Sequence, residues 1–140
     1  MTPEECLVQY GRAWFAPDHA ARVEALRKCC TDDVVFMDPQ LGRLHGLDEV
    51  AKMIGDGIGE AFQSAPDADV KGSERGRSGG GVNVEVTTDI EVLHNFFRYS
   101  FVWTMPDGTR SGGTDFGEFA DDGRMSLITV WPSTKGFPVT

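Results

Sequence analysis

Two aspartates lie in apolar surroundings where a carboxyl group could carry out acid–base chemistry. Asp38 ends the apolar run 34–37, and Asp115 lies between Gly113 and Gly117 in a stretch that alternates like a strand. Because alternate residues of a strand share a face, we expect Asp115 and the two glycines to point to the same side. Glycine there leaves room above the sheet for a ligand. Burial in such a cavity would raise the pKa of Asp115 above about 3.9, so that a neutral carboxyl could donate a hydrogen bond.

Each aspartate also has a purely structural interpretation. Asp38 precedes Pro39, and an aspartate before a proline often only shapes a turn. Asp115 could instead form a structural ion pair with Arg98 or Arg110. The residues alone leave both interpretations open beside the functional one.

Helices in the N-terminal half must position one side of this site. Helix one is predicted over residues 3–15, where Leu7, Tyr10 and Trp14 recur at helical spacing. Asp18 is the predicted N-cap of a second helix. A third helix is predicted over residues 47–62, weakened by three glycines at positions 55, 57 and 59. Its apolar stripe consists of Val50, Ile54, Ile58 and Phe62.

Strands make up the rest of the predicted scaffold. A short strand over residues 34–38 leads into a loop over 40–46. From residue 68 the pattern changes to period two, which predicts strands over 69–74, 82–93, 95–105, 109–120 and 124–131 and a flexible loop over 75–81. Helices first and a meander of strands afterwards is an α+β order, in one domain that spans residues 1–140.

Aromatic and apolar side chains on these elements form the predicted wall of a pocket. The wall residues are Trp14, Phe36, Met53, Phe97, Tyr99, Phe101, Trp103, Phe119 and Trp131. Ordinary core packing explains the same aromatic stripe without a ligand. Phe96 and Val102 lie on the opposite face of their strand, so a second face of the sheet is partly apolar. That pattern predicts a homodimer through the sheet.

Composition and charge exclude several classes of partner. The net charge is −9, and no cluster of Lys and Arg suits nucleic acid or an anionic membrane. The apolar runs are far shorter than the roughly 20 residues that span a bilayer, and the acidic N-terminus does not resemble a signal peptide, so we expect a cytoplasmic protein. Three scattered histidines and the cysteines Cys6, Cys29 and Cys30 give no metal-binding spacing, and the cysteines are interpreted as packing thiols.

Two stretches of the chain resemble a known superfamily. Residues 31–39 read TDDVVFMDP and are followed by Gly42 and by HGLDEV at 45–50; residues 113–119 read GTDFGEF and are followed by DDGR at 121–124. This order over almost the whole chain resembles the ketosteroid isomerase and SnoaL-like polyketide cyclase superfamily. The resemblance implies a cone-shaped, strongly curved antiparallel sheet wrapped around three N-terminal helices with a central pocket. It also implies Asp38 as general base, with Asp115 and Tyr10 as hydrogen-bond donors to an oxyanion.

Three functional hypotheses follow. The first is a cofactor-independent isomerase, cyclase or lyase that transfers a proton next to a carbonyl group of an apolar small molecule. The second is a binding or dimerisation module without catalysis, in which Asp115 pairs with an arginine and Asp38 faces solvent. The third is a small-molecule hydrolase, in which an acid activates water; this reaction needs a network of several polar residues, and the candidates His94, Asn95 and Arg98 are too loosely placed to supply it.

Overall fold

The computed structural model describes residues 1–63, 71–72, 75–79 and 81–133, and for residues 58–63 and 71 it describes the backbone alone. Helix α1 spans Pro3–Trp14 and begins with a capping box. The Thr2 hydroxyl accepts a hydrogen bond from the Glu5 amide at 3.1 Å, and the Glu5 carboxylate accepts one from the Thr2 amide at 2.8 Å. Two amide groups that a helix start would leave unpaired are thereby satisfied, which fixes where α1 begins.

Helix α2 spans His19–Cys29, and Asp18 caps it as predicted by accepting a hydrogen bond from the Ala21 amide at 2.8 Å. Arg22 of α2 is buried and donates to the carbonyl oxygens of Ala13 and Ala16, at 3.0 and 2.8 Å. These carbonyls lie at and just beyond the end of α1, where helical partners run out. One arginine therefore joins the end of α1 to the middle of α2.

Helix α3 spans Leu47–Gln63, one residue longer than predicted. Val50 and Ile54 are fully buried, whereas the side chains of the other two stripe residues, Ile58 and Phe62, lie outside the described ones. Gly55 has a packing reason, because a Cβ atom there would come within 3.0 Å of the Arg22 Nη1 atom. A glycine that weakens the helix thus makes room for the arginine that joins the helices.

Nine strands form one sheet in the described part of the chain. Their bounds are β1 Cys30–Asp38, β2 Gly42–His45, β3 Lys71–Gly72, β4 Gly76–Gly79, β5 Val82–Val86, β6 Glu91–Leu93, β7 Phe96–Thr104, β8 Arg110–Phe119 and β9 Met125–Pro132. The hydrogen-bonded order is β2-β1-β9-β8-β7-β5-β4-β3, and β6 pairs with β7 beside this path. The α+β class and the curved sheet are as predicted.

The sheet is mixed rather than wholly antiparallel. Strand β1 runs parallel to β9, with Val35 opposite Leu127 and Met37 opposite Thr129, whereas the other pairs are antiparallel. This pairing brings the first strand of the chain beside the last one. The meander signal in the sequence reports only neighbours along the chain, so it could not show this contact.

Three predicted boundaries are wrong. Strand β2 lies within the predicted loop 40–46, and β4 lies within the predicted loop 75–81. The predicted strand 82–93 is two strands, β5 and β6. Gly76 lies within the predicted loop 75–81, but a Cβ atom there would lie 2.9 Å from the Val84 carbonyl oxygen, so glycine allows close backbone approach in β4. The predicted strand 69–74 falls mostly outside the described residues, which include only Lys71 and Gly72 there.

The core lies between the helices and the inner face of the sheet. Leu26, Val34 and Ile128 are fully buried there and join α2, β1 and β9. All three cysteines are buried in the same core as free thiols, which agrees with their interpretation as packing residues. Within the described ranges, no helix is both long enough and apolar enough to cross a bilayer.

Candidate functional site

A cavity of about 810 Å³ opens between the helices and the inner face of the sheet. Nine of the twelve predicted site residues line it. They are Tyr10, Trp14, Phe36, Asp38, Met53, Tyr99, Phe101, Trp103 and Asp115. Both predicted aspartates therefore open into the same cavity, although 77 positions separate them in the sequence.

Three predicted wall residues do not line the cavity. Phe97 and Phe119 face inward, but their rings pack on each other at 4.6 Å between centroids and are buried in the core. Trp131 lies on the outer face and is 50% exposed. Its neighbour Val130 takes the inward position on β9, because successive side chains of a strand alternate between faces. The sequence showed apolar residues on both faces of this strand and could not say which face was inner.

Asp115 lies at the middle of β8 and is almost wholly buried, with 4% of its surface exposed. Its Oδ2 atom accepts a hydrogen bond from the Tyr99 hydroxyl at 2.5 Å, and its Oδ1 atom has no partner among the described residues. Burial raises the pKa of Asp115 to about 7, and the Tyr99 hydrogen bond opposes this rise. The Asp115 carboxyl group is therefore mostly neutral at mildly acidic pH, and the direction of this shift is the one that the sequence predicts.

The alternative of an ion pair at Asp115 is not what the structure holds. Arg98 forms a salt bridge with Glu91 at 3.2 Å on the outer face. The partner of Asp115 is Tyr99, which lies directly opposite it on β7. The sequence predicts Tyr99 as a residue of the pocket wall and does not predict this contact. The signal was available in principle, because cross-strand register from the hairpin turn at 106–108 pairs the two positions.

The glycines beside Asp115 do not provide open space for a ligand, and this expectation was wrong. A Cβ atom on Gly117 would lie 2.5 Å from the Phe97 ring, and one on Gly113 would lie 3.3 Å from the Phe101 ring. The aromatic rings of β7 therefore lean over β8 and cover its glycines. Tyr99 leans the same way, which brings its hydroxyl to Asp115.

Asp38 lies half-buried at the end of β1 and lines the cavity. Its Oδ1 atom accepts hydrogen bonds from the amides of Gln40 and Leu41, at 2.8 and 3.1 Å. The turn interpretation is therefore confirmed, because one oxygen of Asp38 shapes the turn after Pro39, and the side chain also borders the cavity.

Register places the two carboxyl groups on either side of one strand. Asp115 is opposite Val130 of β9 on one side. On the other side, Met37 is opposite Thr129, so the next residue, Asp38, lies beside Val130. Because neighbouring strands are spaced at about 4.8 Å, the two Cα atoms are about 10 Å apart. Both side chains point inward from a curved sheet, which brings their ends somewhat closer.

Tyr10 reaches the cavity from α1 and is 5% exposed. Burial raises the pKa of its hydroxyl well above the usual value, and the nearby Asp115 carboxyl raises it further. The Trp14 ring packs edge-on against Tyr10 with 6.2 Å between centroids. Tyr10 is therefore a neutral hydrogen-bond donor near Asp115, on the opposite wall from the sheet.

Several charged side chains that line the cavity are exposed and take part in salt bridges. Lys52 and Asp56 form a salt bridge at 2.7 Å on α3, and Arg75 binds Asp89 at 2.5 Å. In the described part of the chain, no group of three or more His, Cys, Asp or Glu residues is arranged to hold a metal ion. The arrangement can thus donate hydrogen bonds and exchange protons deep in an apolar cavity.

Comparisons with known proteins agree with this architecture. A family model for the SnoaL-like domain matches residues 11–128. A solved structure of a proposed isomerase of the SnoaL-like family from Agrobacterium tumefaciens is 20% identical, with a TM-score of 0.70 over 93% of this chain and 96% of that one. A proposed SnoaL-like polyketide cyclase from Jannaschia sp. is 11% identical, with a TM-score of 0.61 over 92% and 83%.

An NTF2-like protein from Exiguobacterium sp. is 14% identical, with a TM-score of 0.57 over 93% of this chain and 99% of that one. A search among curated proteins gives no match. At these identities the solved structures show a shared fold, and a fold of this kind hosts many chemistries.

Proposed function

Since the chain belongs to the SnoaL-like family, we propose that it is a small-molecule isomerase, cyclase or lyase that transfers a proton at a carbon next to a carbonyl group. Asp38 is the general base, and Asp115 and Tyr10 donate hydrogen bonds to the oxyanion. The observation that carries the proposal is that two carboxyl groups in different environments open into one largely apolar cavity. Environments that separate two acids in this way assign the roles of base and donor.

The proposed reaction balances without an added co-reactant. The Asp38 carboxylate takes a proton from the α-carbon, and the electron pair of the broken C–H bond moves to the carbonyl oxygen. Asp115 and Tyr10 stabilise the enolate through hydrogen bonds. Return of the proton from Asp38 to another carbon completes an isomerisation. Attack of the enolate on a second carbonyl forms a ring, and the new alkoxide takes the proton back from Asp38. Loss of a β-hydroxyl group, which leaves as water with the proton from Asp38, gives a lyase reaction.

The spacing of the acids suits a single substrate between them. A base oxygen approaches the α-carbon at about 3.3 Å, and the α-carbon is about 2.4 Å from the carbonyl oxygen. A hydrogen bond to that oxygen adds about 2.7 Å. The sum of about 8 Å is slightly shorter than the separation of about 10 Å between the two Cα atoms, which inward-pointing side chains on a curved sheet reduce.

The cavity favours a flat, apolar, oxygenated molecule. Its volume of about 810 Å³ is within the usual range of small-molecule binding sites. On the side of the sheet, the cavity is lined by the aromatic rings of Phe36, Phe101 and Trp103. Phenols are useful probes for such a site, because a phenol oxygen resembles an enolate oxygen in charge and geometry.

Hydrogen exchange tests the proposed chemistry without knowledge of the natural substrate. The probe is 2-tetralone in D2O, whose α-protons are followed by proton NMR. We expect the protein to accelerate exchange, and Asp38→Asn to slow it by about 100-fold or more. Asp33→Asn is the matched control, because Asp33 is exposed on the same strand. Exchange in Asp38→Asn at the rate of Asp33→Asn would refute the role of Asp38.

A second candidate function is a ligand-binding module without catalysis. The two amide hydrogen bonds at Asp38 favour it, because a turn residue needs no chemical role. Binding of 2-naphthol, measured by quenching of tryptophan fluorescence, separates the candidates when it is compared with exchange. Tight binding with exchange at the buffer rate supports the binding module, whereas binding together with exchange that depends on Asp38 supports the enzyme.

We also propose that the protein is a homodimer through the outer face of the sheet. Phe96 and Phe116 stack at 5.9 Å there, and each is 40% exposed. The exposed pair Arg98 and Glu91 lies beside them, which gives the face both signs of charge for contact with a second copy. Sedimentation of Phe116→Glu should show a monomer, while Lys28→Gln, an equal change of charge on α2, should stay dimeric. Equal masses for these two variants would contradict the proposal.

A further inference from the structure

We infer that Tyr99 is a positioning residue that determines which oxygen of Asp115 carries the proton, because it donates its own hydroxyl hydrogen to the other oxygen. The inference deepens the proposed function, on which its catalytic meaning rests. The observation behind it is the buried hydrogen bond between the Tyr99 hydroxyl and Oδ2 of Asp115, together with the unpartnered Oδ1 atom.

The Tyr99 ring is held on both sides, so its hydroxyl group has a fixed place. The ring stacks on Phe97 with 6.2 Å between centroids and an interplanar angle of 11°, and it contacts Phe101 at 6.5 Å. Phe97 is in turn packed against Phe119 in the core. Tyr99 is only 4% exposed. A phenol held in this way offers its donor at one position, where it meets Asp115.

The direction of the hydrogen bond determines where the carboxyl proton resides. A phenol has one hydrogen, and within the described residues the acceptor in reach of Tyr99 is Oδ2 of Asp115. With Tyr99 as the donor, Oδ2 is the acceptor, and a neutral Asp115 carries its proton on Oδ1. The opposite direction would leave the unpaired hydrogen on the Tyr99 phenol. The two directions differ in the sign of the change in the Asp115 pKa when the Tyr99 hydroxyl is removed, because a hydrogen bond to the charged form lowers the pKa and one from the neutral form raises it.

Oδ1 is the atom through which Asp115 can act on a ligand. Asp115 lines the cavity, and Oδ1 is buried without a protein partner in the described part of the chain. A donor that is held in one position before the reaction needs little reorganisation when charge develops next to it, which is the basis of electrostatic catalysis. Tyr99 thus acts through Asp115 and does not itself need to touch the substrate.

The other groups around Asp115 allow the effect of Tyr99 to be isolated. Titratable or charged side chains that share the cavity are Tyr10, Asp38, Glu49, Lys52, Asp56, Arg75 and Arg77. Of these, Lys52, Asp56 and Arg75 take part in salt bridges. The causes that set the pKa of Asp115 are burial, which raises it, and the Tyr99 hydrogen bond, which lowers it. Removal of that hydrogen bond should therefore raise the pKa, and removal of the Tyr10 hydroxyl should not.

The direct test is carbon-13 NMR of the side-chain carboxyl groups in protein labelled at aspartate. Asp115→Asn identifies the Asp115 signal by its loss. We expect Tyr99→Phe to move the titration of this signal to higher pH and Tyr10→Phe to leave it in place. In the 2-tetralone exchange assay, Tyr99→Phe should lower the maximal exchange rate by about 10-fold. It should also move the pH at which the rate falls on the alkaline side to a higher value. A residue that only supported the fold would lower the exchange rate without changing the pH at which the rate falls.

A second measurement keeps the test decisive if Tyr99→Phe does not fold. The chain has two tyrosines, so 3-fluorotyrosine incorporated into the Tyr10→Phe variant labels Tyr99 alone. Fluorine makes the phenol a stronger donor, and the Asp115 titration should then move to lower pH. An Asp115 signal that does not respond to either change at Tyr99 would overturn the inference. These titrations do not require the protein to be catalytically active. The proposed function fails separately, if the wild type exchanges 2-tetralone protons no faster than the buffer does.

Discussion

Replacement of Asp115 by asparagine should remove a pH-dependent loss of stability. Asparagine keeps an oxygen that can accept the Tyr99 hydrogen bond and has an NH2 group in place of the protonated oxygen. It therefore imitates the neutral acid, but it cannot ionise. In the wild type, burial holds the pKa of Asp115 at about 7, whereas the unfolded chain should have a value near 3.8. The folded state thus retains a proton that the unfolded state releases.

The sign and size of the effect follow from proton linkage. Between the two pKa values the unfolded state binds fewer protons, so the free energy of unfolding falls as pH rises. The loss begins near the unfolded value and is complete above the folded value of about 7. Each unit of separation corresponds to about 1.4 kcal/mol, which gives about 4 kcal/mol in total and about 3 kcal/mol between pH 5 and pH 8. The free energy of unfolding of Asp115→Asn should not show this fall with rising pH.

Urea unfolding followed by tryptophan fluorescence measures the effect, because the chain has three tryptophans. The free energy of unfolding is compared at pH 5 and pH 8 at one protein concentration, for the wild type, Asp115→Asn and Asp33→Asn. The other carboxyl groups contribute to all three proteins and cancel in the difference. Asp33→Asn should follow the wild type. Equal pH dependence in all three would show that Asp115 titrates normally, and the neutral donor in the proposed mechanism would then be lost.

Two further predictions concern the helices that close the cavity. Gly57→Ala should stabilise the protein by up to about 1 kcal/mol, because nothing lies within 4 Å of a Cβ atom there. Gly55→Ala should give no such gain, since its Cβ atom would lie 3.0 Å from Arg22. A higher melting temperature for Gly55→Ala than for Gly57→Ala would contradict this packing. Arg22→Met should lower the free energy of unfolding by about 2 kcal/mol, because the Ala13 and Ala16 carbonyl oxygens lose their hydrogen-bond donor. An unchanged midpoint of urea unfolding would contradict the role of Arg22 in joining α1 to α2.

Local patterns in the sequence predicted most elements, because their causes are local. Helix α1 begins at Pro3 and helix α2 follows Asp18 as predicted, since caps and apolar spacing act within a few residues. Glycine was the misleading residue. Gly76 lies in the predicted loop 75–81 and Gly117 lies on the predicted open face, but in the structure each gives room to a neighbouring strand or ring. What fills the space beside a glycine depends on the partner strand, which single-strand patterns do not report.

The sequence predicted those parts of the candidate site that depend on the alternation of side chains between the two faces of a strand, here called strand parity. Parity put Asp115 and Tyr99 on inward faces correctly, because the side chains of a strand alternate. It could not decide between the two apolar faces of β9, so Trp131 was assigned to the wrong one. The hydrogen bond between Tyr99 and Asp115 needed the register of β7 and β8 as well, which the turn at 106–108 determines.

The parallel pairing of β1 with β9 is the feature on which the candidate site depends most. If β1 had joined the far edge of the sheet, beside β3, Asp38 and Asp115 would be five strand spacings apart, or about 24 Å, which no single α-carbon and carbonyl oxygen could span. Insertion of β9 between β1 and β8 reduces the separation to two spacings. A one-residue slip of β1 along β9 would instead turn Asp38 to the outer face. The register of these two strands therefore sets both the distance and the direction that proton transfer would require.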